Sequence, residues 1–576
     1  MGIGTREVPP HLRRFVVEQD YEQYSAVDQA VWRFVLLQTY SRLVDSAHAA
    51  YRDGLAATGI SVERIPSIAE MNEKLSRFGW GAACVDGFIP PRAFQEFQAH
   101  GILPIAAAIR TREHLVYTPA PDIIHEAAGH APILPDPTFS AYVRRFGDLA
   151  RKAFTLPEEQ RVYQAFYLLS EIKEDPSRDA SAVALAEAEL DAALAAAASP
   201  SEVTRLSRLY WWTAEYGLVG RTDDYKIYGA GLLSSLGESH SCHAPDVRKL
   251  PLDERSMDVA YDITRPQPQL FVVSSFEALH DVLDRAARAL AVEIGGEVAL
   301  ERAVRSCEVA TVHFSSGAQV IGRLREAGPT SRVPSWLSFE GPTAFARDGI
   351  IGADEGVRQP LGCVVLTGDL ADGGGLELAG DRTLETCRDA TTGRHSFRFA
   401  SGALVHGRVE RIVRAPDGRL ARIHMNDVRL VLPGRPAISL QHHVLLAAGR
   451  PVTAHAGSVD VAYHPETVFS SVRIPRPRTF EGREQRLRSL YTEAERAHRG
   501  GAQSMRAEFP RLVDVLVREY PDEWLLRWNL LESLLKAGEK GATTRALRAE
   551  LEELEVRFDC RQPIASGLEY LLRRAA

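Results

Sequence analysis

The stretch PDIIHEAAGHAP, residues 121–132, places His125 and His130 five positions apart, with Glu126 beside the first. Two imidazoles and a carboxylate are metal-binding chemistry, but the spacing is unusual. A zinc hydrolase helix needs histidines at i and i+4 on one face, with a base glutamate between them. An α-helix turns about 100° per residue, so a step of five leaves the second side chain roughly 140° past alignment. One ion shared by both therefore requires the helix to end between them. Asp122 is a good N-cap behind Pro119 and Pro121. Gly129 is a good C-terminal breaker, and Pro132 prevents continuation. The expectation is a short helix carrying His125, with His130 just past its end.

Such a pair suits a looser cluster completed by a distant carboxylate. Two histidines and one carboxylate on one face of Fe(II), with other positions open, form the facial triad of non-haem oxygenases. The segment RLYWWTAEYGLVG, 208–220, supplies a candidate third ligand. On a helix, Glu215 shares a face with Trp211, Trp212 and Leu218. An ionised carboxylate on such a face is costly without a partner. Local hydrogen bonds for the histidines and an arginine for Glu215 would satisfy the same residues, and the spacing alone leaves both readings open. His240, Cys242 and His243 match no zinc spacing and read as incidental loop residues, and His442 and His443 are likewise read as no metal site.

The elements that must position these residues are mostly helical up to about residue 295. AVDQAVWRFVLLQTYSRLV, 26–44, has apolar residues at helical spacing. An alanine-rich stretch within 178–199 reads as a surface helix inserted near 155–200. LFVVSS, 270–275, reads as a strand followed by an amphipathic helix. Past Gly295-Gly296 the texture becomes short β-branched runs with glycine turns, and VHFSSGAQVIGRL (312–324) is echoed by FRFASGALVHGRV (397–409). PRPRTF, 475–480, reads as a linker into a helical end with a turn near Gly538. The fold class expected is multidomain α+β: a mostly helical unit over 1–295, a β-rich unit with two related parts over 296–475, and a helical region over 476–576.

Composition bounds the function. The 576 residues carry a formal net charge of −8, which argues against a nucleic-acid partner. No apolar run approaches the ~20 residues that cross a bilayer. The six cysteines form no CxxC pair, and no signal peptide is evident, so a cytoplasmic protein is expected. Oligomeric state is left open.

PDIIHEAAGHAP, LYWWTAEYGL (209–218) and YGAGLLSSLGE (228–238), in this order, resemble the pterin-dependent aromatic amino acid hydroxylases. The similarity runs from AVDQAVWR at residue 26 to QPQLFVVSSF ending at 276, about half the chain. It implies a helical catalytic domain, Fe(II) held by His125, His130 and Glu215, and a tetrahydropterin and O2 as co-substrates. It implies Arg110 as the partner of the amino acid's carboxylate, chemically apt because guanidinium binds carboxylate bidentately, with Asp122 orienting it. Thr118 and Ser234 match positions that hold the amino acid, and Pro119 and Trp211 match walls of the aromatic pocket. Phe94 matches the aromatic that stacks on the pterin, and Glu126 and Tyr210 match residues near pterin and iron. Trp211 resembles the phenylalanine and tyrosine branches of the family and the apolar Val272 the phenylalanine branch, which implies phenylalanine as substrate and tyrosine as product, with another aromatic amino acid or ring position as the alternative.

The chain departs from the family pattern at Pro104, where many members carry an aromatic or histidine near the pterin. It also departs in the 155–200 insertion and in residues 296–576. A regulatory domain ahead of the catalytic part is not expected, nor is the usual short tetramerisation helix. Two readings of other classes remain: a zinc hydrolase with Glu126 as base, and a non-catalytic ligand-binding protein.

Overall fold

The computed structural model describes residues 6–86, 89–116, 122–174, 179–197, 199–262, 266–328, 333–352, 357–460, 463, 480–558 and 563–575. Its central element is α1, Ala26–Ser46, opened by a capping box in which Ser25 and Asp28 satisfy each other's backbone amides. α1 is not a surface helix with one apolar stripe. Trp32, Phe34, Val35 and Leu36 are all buried, because partners cover it on several sides.

Around α1 lie a parallel pair, β1 (Gly81–Val85) and β2 (Ile102–Ala106), joined through α2 (Pro91–Ala99). The chain continues through a 3-10 turn at Arg112–His114 and a helix at Ile124–His130 to α3, Pro137–Ala150. The insertion is a helical pair, α4 (Pro157–Glu174) and α5 (Ala180–Ala196), the second capped by Asp179. α6, Glu202–Tyr210, leads into Trp211–Glu215 and then β3, Leu218–Arg221. β3 pairs with β4 (Asp224–Ile227) and runs parallel to β6 (Gln269–Val273), which pairs in turn with β5 (Arg248–Pro251). α7 (Ala230–Ser234) follows β4, and α8 (Phe276–Ala287) follows β6.

Past Gly295 and Gly296, both at positive φ, the first element is a helix, α9 (Gly296–Ser306), rather than a strand. GEVALERAVRS is amphipathic and lays Ala299, Leu300 and Ala303 inward, so the β-rich run starts at Val309. The echoed segments are two antiparallel hairpins: β7 (Val309–Phe314) with β8 (Ala318–Ala327), and β11 (His395–Arg398) with β12 (Leu404–Arg414). The first belongs to a sheet completed by β9 (Trp336–Arg347), β10 (Gly362–Leu366) and the late strand β15 (Pro451–Ala456). The second continues as a meander through β13 (Leu420–Val431) and β14 (Ile438–Leu446). Each sheet has its own apolar cluster. The PRPRTF segment lies, but for Phe480, outside the described residues.

Five helices close the chain: α10 (Gly482–Arg499), α11 (Gly501–Glu519), α12 (Trp524–Lys536), α13 (Ala542–Phe558) and α14 (Ile564–Ala575). Gly538, at φ 75°, makes the turn after α12. These helices share one continuous core with α1. Trp528 and Trp524 meet Phe34 edge-on at centroid distances of 4.8 and 5.0 Å. Glu532 pairs with Arg33 of α1, both buried, and the Ser566 hydroxyl donates to Gln38 at 2.6 Å. Trp528→Ala should therefore cost about 3–5 kcal/mol. Because the cavity opens against Phe34, the amides of Ala26–Ser46 should lose protection in hydrogen exchange together with those of α12.

Candidate metal centre

His125 and His130 lie on one face because the helix between them is not an α-helix. Ile124–His130 is π-helical, and the amide of Ala131 donates to the carbonyl of Glu126, five residues back. An i→i+5 bond widens the turn, so residues five apart come much nearer to one face than in an α-helix. The expected break at Gly129 is thus corrected: the helix runs through it, and His130 is its last residue. Gly129 is needed for another reason. A Cβ there would lie 2.7 Å from the carbonyl oxygen of Ala230, so α7 packs directly on the π-helix backbone.

Glu215 is delivered by the same device. Trp211–Glu215 is a second π-helical turn, with the Tyr216 amide donating to the Trp211 carbonyl at 2.8 Å. Glu215 ends this turn, and Leu218 already begins β3, so the expected helical face shared with Leu218 does not form. The Glu215 carboxylate sits between the imidazoles: Oε2 is 3.1 Å from His125 Nε2, and Oε1 is 3.1 Å from His130 Nε2. The two rings are nearly perpendicular, with centroids 4.9 Å apart. Donors about 2 Å from a common ion stand roughly 3 Å from one another, so the set fits a metal. It is the one such cluster of histidine, cysteine and acidic side chains among the described residues.

Two observations favour an ion over a plain hydrogen-bonded cluster. His130 Nε2 is buried, and its contact with Glu215 lacks hydrogen-bond alignment, leaving a polar atom without a hydrogen-bond partner. His125 has its other nitrogen fixed: Nδ1 lies 3.0 Å from Ser234 Oγ, whose single proton goes to the Ala230 carbonyl at 2.7 Å. The serine oxygen must then accept from Nδ1–H, so in the neutral, metal-binding form of His125 it is Nε2 that carries the lone pair, and in the protonated form Nε2–H faces Glu215. Without metal, burial opposes charge on His125, but Glu215 at contact distance outweighs it and lifts the imidazole to about 9. Glu215 is itself held far below the usual carboxylate range: burial opposes this, and the two imidazoles overcome it.

Arg110 and Asp122 form a buried pair. Nε and Nη2 donate to the two carboxylate oxygens at 2.8 and 2.9 Å, and the Arg110 amide donates to Oδ2 at 2.9 Å. Asp122 also accepts from the His125 amide at 3.1 Å, so it both orients Arg110 and caps the helix. The Nη1 edge of Arg110 remains for another acceptor, with the Ser234 carbonyl 3.5 Å away. Burial pushes Glu126 up to about 8, with Asp122 and Glu215 adding to the shift while His125 and the Ala106 amide oppose it. At neutral pH it is a protonated acid, and its Oε2 accepts weakly from the Ala106 amide at 3.4 Å.

Phe94, on α2, lies 5.7 Å from the His130 ring and 6.3 Å from the Tyr210 ring, centroid to centroid. The Tyr210 hydroxyl is engaged with the Gln98 amide at 2.8 and 3.0 Å, so it is this ring rather than its hydroxyl that borders the histidines. Trp211 stacks on Tyr216 at 4.5 Å and on Tyr261 at 4.1 Å. Val272 pairs in register with Leu218, three residues past Glu215. Pro104 sits in β2, whose only strand partner among the described residues is β1, where a missing amide is tolerated. Thr118 and Pro119 lie outside the described residues. Gln98 and Tyr261 are the neighbours that the sequence did not single out. Both are ordinary residues remote from the motifs, and only the packing of α2 and of the segment before β6 brings them here.

The model of the family described as biopterin-dependent aromatic amino acid hydroxylase matches residues 19–167 and 182–312. The break between the two stretches falls within the α4–α5 insertion. The chain is 31% identical over 276 residues to a phenylalanine-4-hydroxylase of Mesorhizobium japonicum, covering 47% of this chain and 84% of that one. It is 29% identical over 290 residues to one of Caulobacter vibrioides, covering 49% and 82%. A crystal structure of Chromobacterium violaceum phenylalanine hydroxylase, with bound iron(III) and 7,8-dihydrobiopterin, is matched at 27% identity over 48% of this chain and 86% of that one, with a TM-score of 0.38. With the motifs, the converging triad and this coverage of its relatives, the chain belongs to the biopterin-dependent aromatic amino acid hydroxylase family.

Proposed function

We propose that the chain is a monooxygenase that converts free L-phenylalanine to L-tyrosine with Fe(II), a tetrahydropterin and O2. The observation that carries this reading is the convergence of His125, His130 and Glu215 on one point by way of two π-helical turns. Relatives named phenylalanine-4-hydroxylase support the choice of substrate. His125, His130 and Glu215 would hold Fe(II), which would supply O2 activation, and a tetrahydropterin would supply the two electrons that a monooxygenation needs.

The chain's own residues would bind and orient. Arg110, fixed by Asp122 on its Nε–Nη2 edge, offers its Nη1 side to the substrate carboxylate. Ser234 holds the His125 tautomer, and by that contact Nε2 faces the metal. Trp211 and Val272, with Thr118 and Pro119, are assigned to the substrate pocket. Phe94 is assigned to stacking on the pterin. Tyr210 borders the same space with its ring, and Glu126, neutral at pH 7, has a proton to offer a pterin acceptor. We divide the chain into a catalytic domain to residue 295, a β-rich domain to 475 and a helical region beyond. We place it in the cytoplasm: the described cysteines are all free, and no described helix is long and apolar enough to cross a membrane. Nucleic acid is not a partner in this reading.

Anaerobic loading with Fe(II), followed by tetrahydropterin, phenylalanine and air, should yield tyrosine; absence of ring hydroxylation across a panel of aromatic amino acids would contradict the reading. Glu215→Ala should lower kcat by more than about 100-fold, because it removes a ligand rather than a ligand's support. Metal binding should also be proton-linked. Bound metal needs neutral His125, which is protonated below about 9. Affinity for Fe(II) or Co(II) should therefore rise with pH up to about 9, with close to one proton released per metal at pH 7.5. A pH-independent affinity between 7 and 9 would contradict this.

A further inference from the structure

We propose that the regions outside the catalytic part brace the two halves of the active site separately: the C-terminal helices hold the substrate side through Arg112, and the β-rich region holds the pterin side through Arg92. This rests on the assignment of Arg110 to the substrate and Phe94 to the pterin.

The substrate side is irregular chain, anchored where it leaves β2 by the Ala107 amide on the Val85 carbonyl at 2.9 Å and the Tyr24 hydroxyl on the Ala107 carbonyl at 2.6 Å, and by the buried Leu115. Between β2 and the first π-helix the chain has only the 3-10 turn Arg112–His114 and no sheet partner among the described residues. From within, it is tied by the Arg110 amide to Asp122 and by the Ile123 amide to the Ala108 carbonyl. From outside, Arg112 reaches the C-terminal helices. Its Nη2 lies 2.9 Å from Glu484 of α10, and its Nη1 lies 3.2 Å from Glu523, the N-cap of α12. Glu523 is aimed by the Tyr491 hydroxyl at 2.7 Å and by the Leu526 amide at 3.2 Å. Arg112 is two residues from Arg110, so any drift of this turn moves the guanidinium that meets the substrate.

The pterin side is gripped in the same way. Arg92, two residues before Phe94 in α2, donates to both oxygens of Glu308 at 3.1 Å and to the Arg151 carbonyl at 3.0 Å. Glu308 lies between α9 and β7, and its other contact is the Thr155 amide at 3.4 Å. Fully exposed ion pairs hold little, but these are not exposed: Arg92 and Glu308 are each 17% accessible, Arg112 23% and Glu523 10%. Arg112 also borders an open cleft of about 440 Å³, so replacing it empties no packed core.

Steady-state kinetics on full-length, iron-loaded protein test the split. Arg112→Gln should raise KM for phenylalanine at least about threefold, with kcat and the tetrahydropterin KM within about twofold of wild type, and Arg112→Lys should recover part of the loss. Glu308→Gln should do the reverse, raising KM for tetrahydropterin and sparing that for phenylalanine. Should Arg112→Gln fold poorly, Glu484→Gln removes one contact and should give a smaller change of the same kind. Both constants moving together in either variant, or neither moving, would overturn the proposal. Hydrogen exchange reads it without turnover: Arg112→Gln should speed exchange in 107–116 and Glu308→Gln in 89–99, and equal or crossed effects would overturn it. If the wild-type protein makes no tyrosine, the preceding assignment of function falls, and the exchange results alone decide whether the braces exist.

Discussion

One carboxylate held between two imidazoles organises this molecule. Glu215 reaches His125 and His130 at 3.1 Å each, in a buried place where an ionised group is expensive unless opposite charge meets it. The contact joins two chain segments some ninety residues apart, and each arrives on a π-helical turn. A π turn sacrifices regular α-helical bonding, and it persists only where surrounding structure enforces it. Here α7 enforces it by packing its backbone on Gly129 while presenting Ser234 to His125. One short helix thus sets both the shape of the turn and the tautomer of the ligand.

The surrounding chemistry divides by charge state. Arg110 and Asp122 are a buried ion pair in which the guanidinium holds the Asp122 carboxylate ionised against the effect of burial and still has donors to spare. Glu126, only four residues from Asp122, is pushed the other way by burial. Two neighbouring acids are thus pushed in opposite directions, set by which of them has an arginine. The long extension beyond residue 296 is not a detached appendage. Its last helices share a core with α1, and ion pairs from it reach Arg112, in the turn beside Arg110, and Arg92, in α2 beside Phe94.

Much of this was legible in the sequence, and the limits have physical causes. The grouping of His125, His130 and Glu215 and the Arg110–Asp122 pair were legible through the family resemblance, and the helices at 26–46 and 276–287 through periodicity. The paired β units were visible because their turns repeat a Ser-Gly step between β-branched runs. The π-helices were not visible. No residue type favours them, and GHAP reads by propensity as a helix end, so a wide turn was taken for a broken one. The helix at 296–306 was hidden because it follows a Gly-Gly pair and is short. The docking of the last five helices on α1 was also out of reach, since an apolar helix face does not name its partner.

The central claim is that these three side chains hold one Fe(II) with positions left open. Iron K-edge X-ray absorption of the anaerobically loaded protein measures this directly. The claim predicts two imidazole scattering patterns and first-shell nitrogen and oxygen at about 2.0–2.2 Å, with the imidazole signal halved in His130→Ala. A sulfur shell, or an imidazole signal unchanged by that substitution, would contradict it.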